Sequence, residues 1–409
     1  MVARIPADSS LEFSQVVRAH TEALSLVVLL LQSAPVGALE GWTVKKRLPA
    51  MFGVLAVVAL LIPATTVASP LERHASHPLH VKPLATTSPT GLSPAKVKSA
   101  YGFSTAATAG AGMTIAIVDA YDDPTAESDL AVFSSSNQFG LPACTTANGC
   151  FKKVNQNGNT RGLPPTDGGW ALEIALDIEW AHAIAPGAKI LLVEARSSSL
   201  SNLFAAEDYA KSHAQYVSNS WGASEFSVEH SYDSHFSQSG VSIFASSGDG
   251  GSQLWPSTSP NVISVGGTTL TFNSDGTLAS ETGWSGSGGG CSAFESANLA
   301  QNTGSVKCSG KRGTPDVSLD ADPYSGVSVY DSTPYSDGSV GWFQVGGTSA
   351  SSPMWAARSA DAGVQVNSAY VYGISITYRD ILSGSNNVGS CQPGYDLVTG
   401  RGSWTGSTP

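Results

Sequence analysis

Short, unbroken apolar runs alternating with helical stretches constrain this chain more than any other feature. Thr114-Ile115-Ala116-Ile117-Val118 is one such run; Lys189 to Val193, Tyr216-Val217-Ser218 and Ser242 to Ser246 are others. Between them, residues 171–184, 201–214 and 228–239 carry helical patterns. A strand with one wet face alternates apolar and polar residues, whereas a strand apolar throughout is covered on both faces. Covered strands joined through helices predict a parallel sheet. The expected architecture is α/β: a mainly parallel twisted sheet with helices on both faces, in a single domain over residues 94–409. Functional groups in such sheets gather at strand carboxyl ends. Asp119, the Ser220-Trp221 turn and Asp249 stand there.

The 409 residues are 41% apolar, enough for a sizeable core, but only 13% charged. With 43 glycines beside many Ser and Thr, the surface is polar yet poorly charged, which suits a secreted protein that meets low pH. A net charge of −11 without a basic stripe argues against a nucleic-acid partner. Cys144 with Cys150, and Cys291 with Cys308, bracket short polar loops and read as disulfide staples; Cys391 is left over. Lys45, Lys46 and Arg47 precede an apolar run from Met51 to Ile62 and a small-residue stretch ending Thr66-Val67-Ala68. This is the pattern of a signal peptide over 44–68 and too short for a membrane span. Residues 1–43 then read as a non-native or mis-assigned extension, and 69–93 as a linker or short prosegment. The mature chain is expected to be an extracellular monomer with no stable membrane association.

Chemistry concentrates in three segments. Gly346-Gly347-Thr348-Ser349-Ala350-Ser351-Ser352-Pro353 follows an apolar strand, Trp342 to Val345, and opens a helix. A serine there lies beside free backbone N–H groups and the positive end of the helix dipole, which favour an oxyanion. The alternative is a plain helix cap. A serine nucleophile needs a base, and no Gly-rich histidine motif is present. Glu173 and Asp177, four apart, share one helical stripe with Trp170, Trp180 and Ile184 and so are expected to point inward. Ala171, Ala175, Glu179 and His182 form the opposite stripe, expected to face solvent. Two inward carboxyls one turn apart share a proton and their pKa values separate upward, so one becomes a usable base in acid. The third segment, Phe244 to Gly251, carries Asp249 from a strand into a glycine loop. Protonated, Asp249 could donate to an oxyanion; otherwise it makes an Asx-turn.

Together these segments resemble the sedolisin family of serine-carboxyl peptidases, over roughly Leu92 to Gly402. The resemblance rests on Glu-x-x-x-Asp at 173/177, Ser-Gly-Asp at 247–249 and Gly-Thr-Ser-Ala-Ser at 347–351. Ser218-Asn219-Ser220-Trp221-Gly222 and Thr314-Pro315-Asp316-Val317-Ser318 support it. It implies a subtilisin-like fold, with Ser349 as nucleophile, Glu173 as general base and acid, Asp177 orienting it, and Asp249 completing the oxyanion hole. Asp119 sits where subtilisins carry their catalytic aspartate and some sedolisins a glutamate bonded to the tryptophan matching Trp221. Asp119 and Trp221 are thus supporting candidates, a structural cap being the alternative for Asp119. Arg379-Asp380-Ile381 and Gln392-Pro393-Gly394-Tyr395-Asp396 resemble the family's calcium loop. Carboxylates of Asp380 and Asp396 and carbonyls of Ile381, Gln392 and Gly394 would hold one structural calcium ion.

The function this implies is a secreted serine-type endopeptidase, hydrolysing proteins or peptides through an acyl-enzyme at acidic pH. Two other readings compete. One is a catalytically weak or inactive secreted module that binds polypeptide or cell-wall material. The other is a neutral subtilisin-type peptidase, disfavoured by the missing histidine motif.

Overall fold

The computed structural model describes residues 72–82, 85–303, 306–373 and 377–406. The predicted leader and the extension before it lie outside these residues, as does the start of the linker. The strands, in chain order, are β1 (His80–Val81), β2 (Thr114–Ala120), β3 (Phe151–Asn155), β4 (Lys189–Ala195), β5 (Tyr216–Asn219) and β6 (Ser242–Ser246). There follow β7 (Ile263–Phe272), β8 (Leu278–Gly283), β9 (Gly290–Ser296), β10 (Lys311–Thr314), β11 (Val317–Asp320), β12 (Val327–Asp331), β13 (Gly341–Gly346), β14 (Tyr378–Arg379) and β15 (Ser403–Trp404). The helices are α1 (Pro94–Tyr101), α2 (Ala126–Ser134), α3 (Gly168–Ile184), α4 (Leu200–Lys211), α5 (Thr348–Ala362) and α6 (Ser368–Tyr372).

The main sheet has the order β11-β7-β6-β5-β2-β4-β3. These seven are parallel to their neighbours, and only β8, on β7, is antiparallel. Ile115, Ile117, Ile190, Leu192 and Phe244 pack with α3 and α5 in one core, while Ala116, Val118, Leu191, Val193 and Val217 pack with α4 in the other. Successive strand residues alternate between the two cores, so each run has to be apolar throughout. The predicted helix at 228–239 is a 3-10 helix over Glu229–Phe236. Its sequence, EHSYDSHF, buries only Glu229 and Phe236, too little apolar surface to pin a longer α-helix. Both predicted disulfides form, and Cys391 remains a free thiol.

One expectation fails instructively. The side of α3 bearing Glu179 and His182 does not face water. Every residue from Trp170 to Ile184 is buried, because α2 and β12 cover the side that α5 leaves open. Asp167 caps the helix, accepting from the N–H groups of Gly169 and Trp170.

Candidate active site

Helix α3 carries Glu173 and Asp177, both fully buried. Asp119 enters beside them from the carboxyl end of β2. Burial pushes all three carboxyl pKa values upward; the Glu173 charge raises Asp119 further, and the Asp119 and Glu173 charges raise Asp177. None of the six oxygens has a formed hydrogen bond. Three such groups cannot all ionise in one dry place, so they hold protons that water-exposed carboxyls would have released. Asp119 is therefore joined electrostatically to the pair rather than to Trp221. Trp221 is buried with its indole N–H unpartnered, and its ring packs on Phe236 at 6.0 Å. A glutamate would reach one methylene further than the aspartate does.

Ser349 is the second residue of α5, in the turn whose N–H groups have no intrahelical acceptor. Its hydroxyl neighbours Glu173 and draws that carboxyl's pKa back down, though no hydrogen bond is formed between them. Ser220 holds the turn from the other side, its hydroxyl donating to the Ser349 carbonyl at 3.3 Å. Asp249 leaves the glycine loop after β6 and accepts at Oδ1 from the N–H and hydroxyl of Thr348, both at 2.8 Å. Its other oxygen is buried without a hydrogen bond. Burial raises the Asp249 pKa well above the carboxylate range, so Oδ2 carries the proton and can donate it into a hydrogen bond.

What the sequence left as a linker lies across these groups. Residues 72–82 form an extended strap. On one side Ser76 N–H donates to the Gly222 carbonyl and Gly222 N–H to the Ser76 carbonyl, both at 2.9 Å, and Ala75 N–H reaches the Ser198 carbonyl at 2.8 Å. On the other side β1 pairs antiparallel with β13, His80 opposite Gly346 and Val81 opposite Val345. His77, Pro78 and Leu79 span the gap between the anchors. His77 Nδ1 stands 3.4 Å from Glu173 Oε2, and His80 Nε2 stands 3.3 Å from Asp249 Oδ2. The Pro78 carbonyl oxygen and Asp249 Oδ2 both crowd Gly347, at 2.2 and 2.6 Å from where a Cβ would sit. With φ at 115°, that position takes glycine alone. The strap thus brings a peptide carbonyl and Asp249 Oδ2 to the same face of Gly347.

Two pairs of the calcium-loop residues are in contact. Gly394 N–H donates to Asp380 Oδ2 at 2.9 Å, and Gln392 N–H to Asp396 Oδ2 at 3.2 Å. Asp396 Oδ1 accepts from the N–H groups of Val398 and Thr399. Carboxylate and carbonyl oxygens of these residues are the hard ligands that calcium takes. Ile381 is buried beside Asp380, which is exposed. Reading the sequence missed two features. One is the strap, whose signal was only a run of His and Pro before the domain. The other is a second acidic cluster, Asp123, Asp129 and Asp331, signalled by the Asp122-Asp123-Pro124 turn after β2.

A serine at a helix head, faced by buried acids on a mainly parallel sheet, is the arrangement of a subtilisin-like serine peptidase. Comparison with known proteins agrees. The model of the subtilase family matches residues 168–368. Kumamolisin of Bacillus sp. (strain MN-32) is 28% identical, the match covering 90% of this chain and 72% of that protein. Sedolisin of Pseudomonas sp. (strain 101) is 29% identical over 79% of this chain, which spans 61% of that protein's length. The solved structure of Pseudomonas sedolisin, complexed with two molecules of pseudo-iodotyrostatin, superposes with a TM-score of 0.65 at 28% identity, covering 78% of this chain and 96% of that one. The chain is similar over most of its length to sedolisin-type serine-carboxyl peptidases, which are hydrolases.

Proposed function

We propose that this protein is a secreted endopeptidase that acts in acid through an acyl-enzyme at Ser349. The observation that carries the reading is the strap: an extended peptide pairs with both rims of the cleft, with His77 beside Glu173 and with His80 beside Asp249. A substrate paired in the same way gains its affinity from backbone hydrogen bonds. Glu173 takes the Ser349 proton as the hydroxyl attacks the carbonyl carbon. Protonated Asp249 and the Ser349 N–H hold the oxyanion. Glu173 then returns the proton to the departing amine, and the cycle repeats with water. Asp177 and Asp119, by withholding their own charge, set how readily Glu173 accepts. Secretion is supported by two disulfides, which persist in oxidising compartments. A calcium ion held by Asp380, Asp396 and the carbonyls of Ile381, Gln392 and Gly394 would brace the tail.

The test is the cleavage rate of an unfolded protein between about pH 2 and 8, the interval in which carboxyl and imidazole groups titrate. The expected profile peaks in acid and declines toward neutrality; a rate rising through pH 6 to 7 would overturn the carboxyl mechanism. Asp249→Ala is expected to lower kcat by about 10²- to 10³-fold, the usual cost of one oxyanion donor. Loss confined to KM would mean that Asp249 only shapes the cleft.

The strap also predicts that the chain restrains itself. Ser76→Pro with His80→Pro removes one N–H donor from each anchor. At about 1 kcal/mol per lost hydrogen bond, the two losses together are expected to raise the initial rate on a short peptide by roughly thirtyfold. An unchanged rate would show that the strap leaves the cleft freely.

A further inference from the structure

The second acidic cluster is assigned no role by the peptidase chemistry. Asp123 follows β2, Asp129 lies on α2 and Asp331 ends β12. One carboxylate oxygen of each lies within 4.8 Å of the other two. All three are buried, with exposures of 0%, 2% and 0%. A fourth acid, Glu179 of α3, is fully buried and feels the charges of Asp129, Asp331 and Asp123.

Most of their oxygens are satisfied by nearby donors. Asp129 accepts from the N–H and hydroxyl of Ser332 and from the Thr125 hydroxyl. Asp123 Oδ1 accepts from Thr125 N–H and from the Thr333 hydroxyl. Asp331 Oδ1 accepts from Thr333 N–H, and Glu179 Oε2 from Tyr330 N–H. Three oxygens are left over: Asp123 Oδ2, Asp331 Oδ2 and Glu179 Oε1 are buried with no hydrogen-bond partner. Among the described residues, no Lys, Arg or His forms an ion pair with any of these four acids. The Lys153 ammonium reaches the same turn but is bonded to the Asp122 carboxylate and the Asp123 carbonyl, both at 2.6 Å.

Four buried acids with no counter-charge need a cation or protons. The donor set is oxygen only, carboxylate and hydroxyl, which selects hard cations over zinc or copper. Ligands on opposite sides of a calcium shell of about 2.4 Å radius are about 4.8 Å apart. Magnesium has a tighter shell and keeps several waters, which a site walled in protein does not readily supply. We propose that Asp123, Asp129, Asp331 and Glu179 form a second calcium site, distinct from the tail loop, which ties the turn after β2 and the end of β12 to α3. The same helix carries Glu173, so the ion would fix one element of the active site from its far side.

The test is equilibrium dialysis of chelator-stripped full-length protein against radioactive calcium at pH 7.5. It uses an inactive Ser349→Ala background to prevent self-digestion. Asp331→Asn and Asp123→Asn are each expected to bind one calcium ion fewer per chain than the parent. Asp380→Asn with Asp396→Asn, which leaves the buried cluster whole, is expected still to melt at a higher temperature with calcium than with chelator. Equal stoichiometry in parent and Asp331→Asn would overturn the proposal. So would a tail-loop variant whose melting ignores calcium; either result would assign the cluster to shared protons alone.

Discussion

Glu173→Gln is expected to lower kcat on a peptide substrate by about 10³-fold, within the range that a general base contributes. Ser349→Ala is expected to lower it at least as far. Glutamine fills the same volume in a fully buried position but can neither take the serine proton nor return it to the leaving amine. The two effects should not multiply in the double variant, since nucleophile and base act as one unit. The decisive control is a histidine. His77 reaches within 3.4 Å of Glu173, so serine, histidine and acid could in principle run in series. The strap that carries His77 occupies the path of a substrate, however, and must leave before one binds. His77→Ala is therefore expected to retain the wild-type maximal rate. If His77→Ala were inactive and Glu173→Gln retained most of its activity, the base would be an imidazole. His182 is no rival, because its ring is buried and bonded to the Pro142 carbonyl at 2.8 Å.

The sheet was legible because its strands are short apolar runs with both faces in core. Ser242 to Ser246 has the same limits in sequence and structure. The candidate site was legible for another reason: Ser349 opens α5 and Asp249 leaves β6 through a glycine loop, while Glu173 and Asp177 stand four apart on one helix. What failed had no local signature. The helical wheel put Glu179 opposite Glu173 correctly, but a wheel cannot say that α2 and β12 will cover that side. β12 pairs with β13 across the turn at Pro334 to Gly338, and β1 then adds itself to β13 from more than 250 residues away in sequence. Pairings of that separation are set by the finished fold rather than by the strand's own residues. The strap is the clearest case. With no core face of its own, it reads as linker until the cleft is built beneath it.

Melting temperature is expected to be highest near pH 4 and to fall by about 10 °C or more by pH 8 in the presence of chelator. The basis is a set of carboxyls away from the active site that burial holds in the acid form. The pKa of Glu194 is pushed up to about 9, Glu207 to about 8, Glu229 to about 9 and Glu295 to about 8, burial being the first cause in each. All four are at most 2% exposed. In the unfolded chain they titrate near 4.3. Between that value and 8 to 9 the folded state therefore binds more protons than the unfolded state, and stability declines as pH rises. The stabilisation is complete below about pH 4 and is lost once pH passes the folded values. One unit of true shift at one group is worth about 1.4 kcal/mol, and 1 kcal/mol moves the melting point of a large domain by about 2–4 °C. Even partial shifts at four sites reach the expected size. Calorimetry of the Ser349→Ala protein from pH 3.5 to 8 checks this. A melting temperature that rises toward neutrality would mean that these carboxyls ionise in the fold, and that acid tolerance is not built into its core.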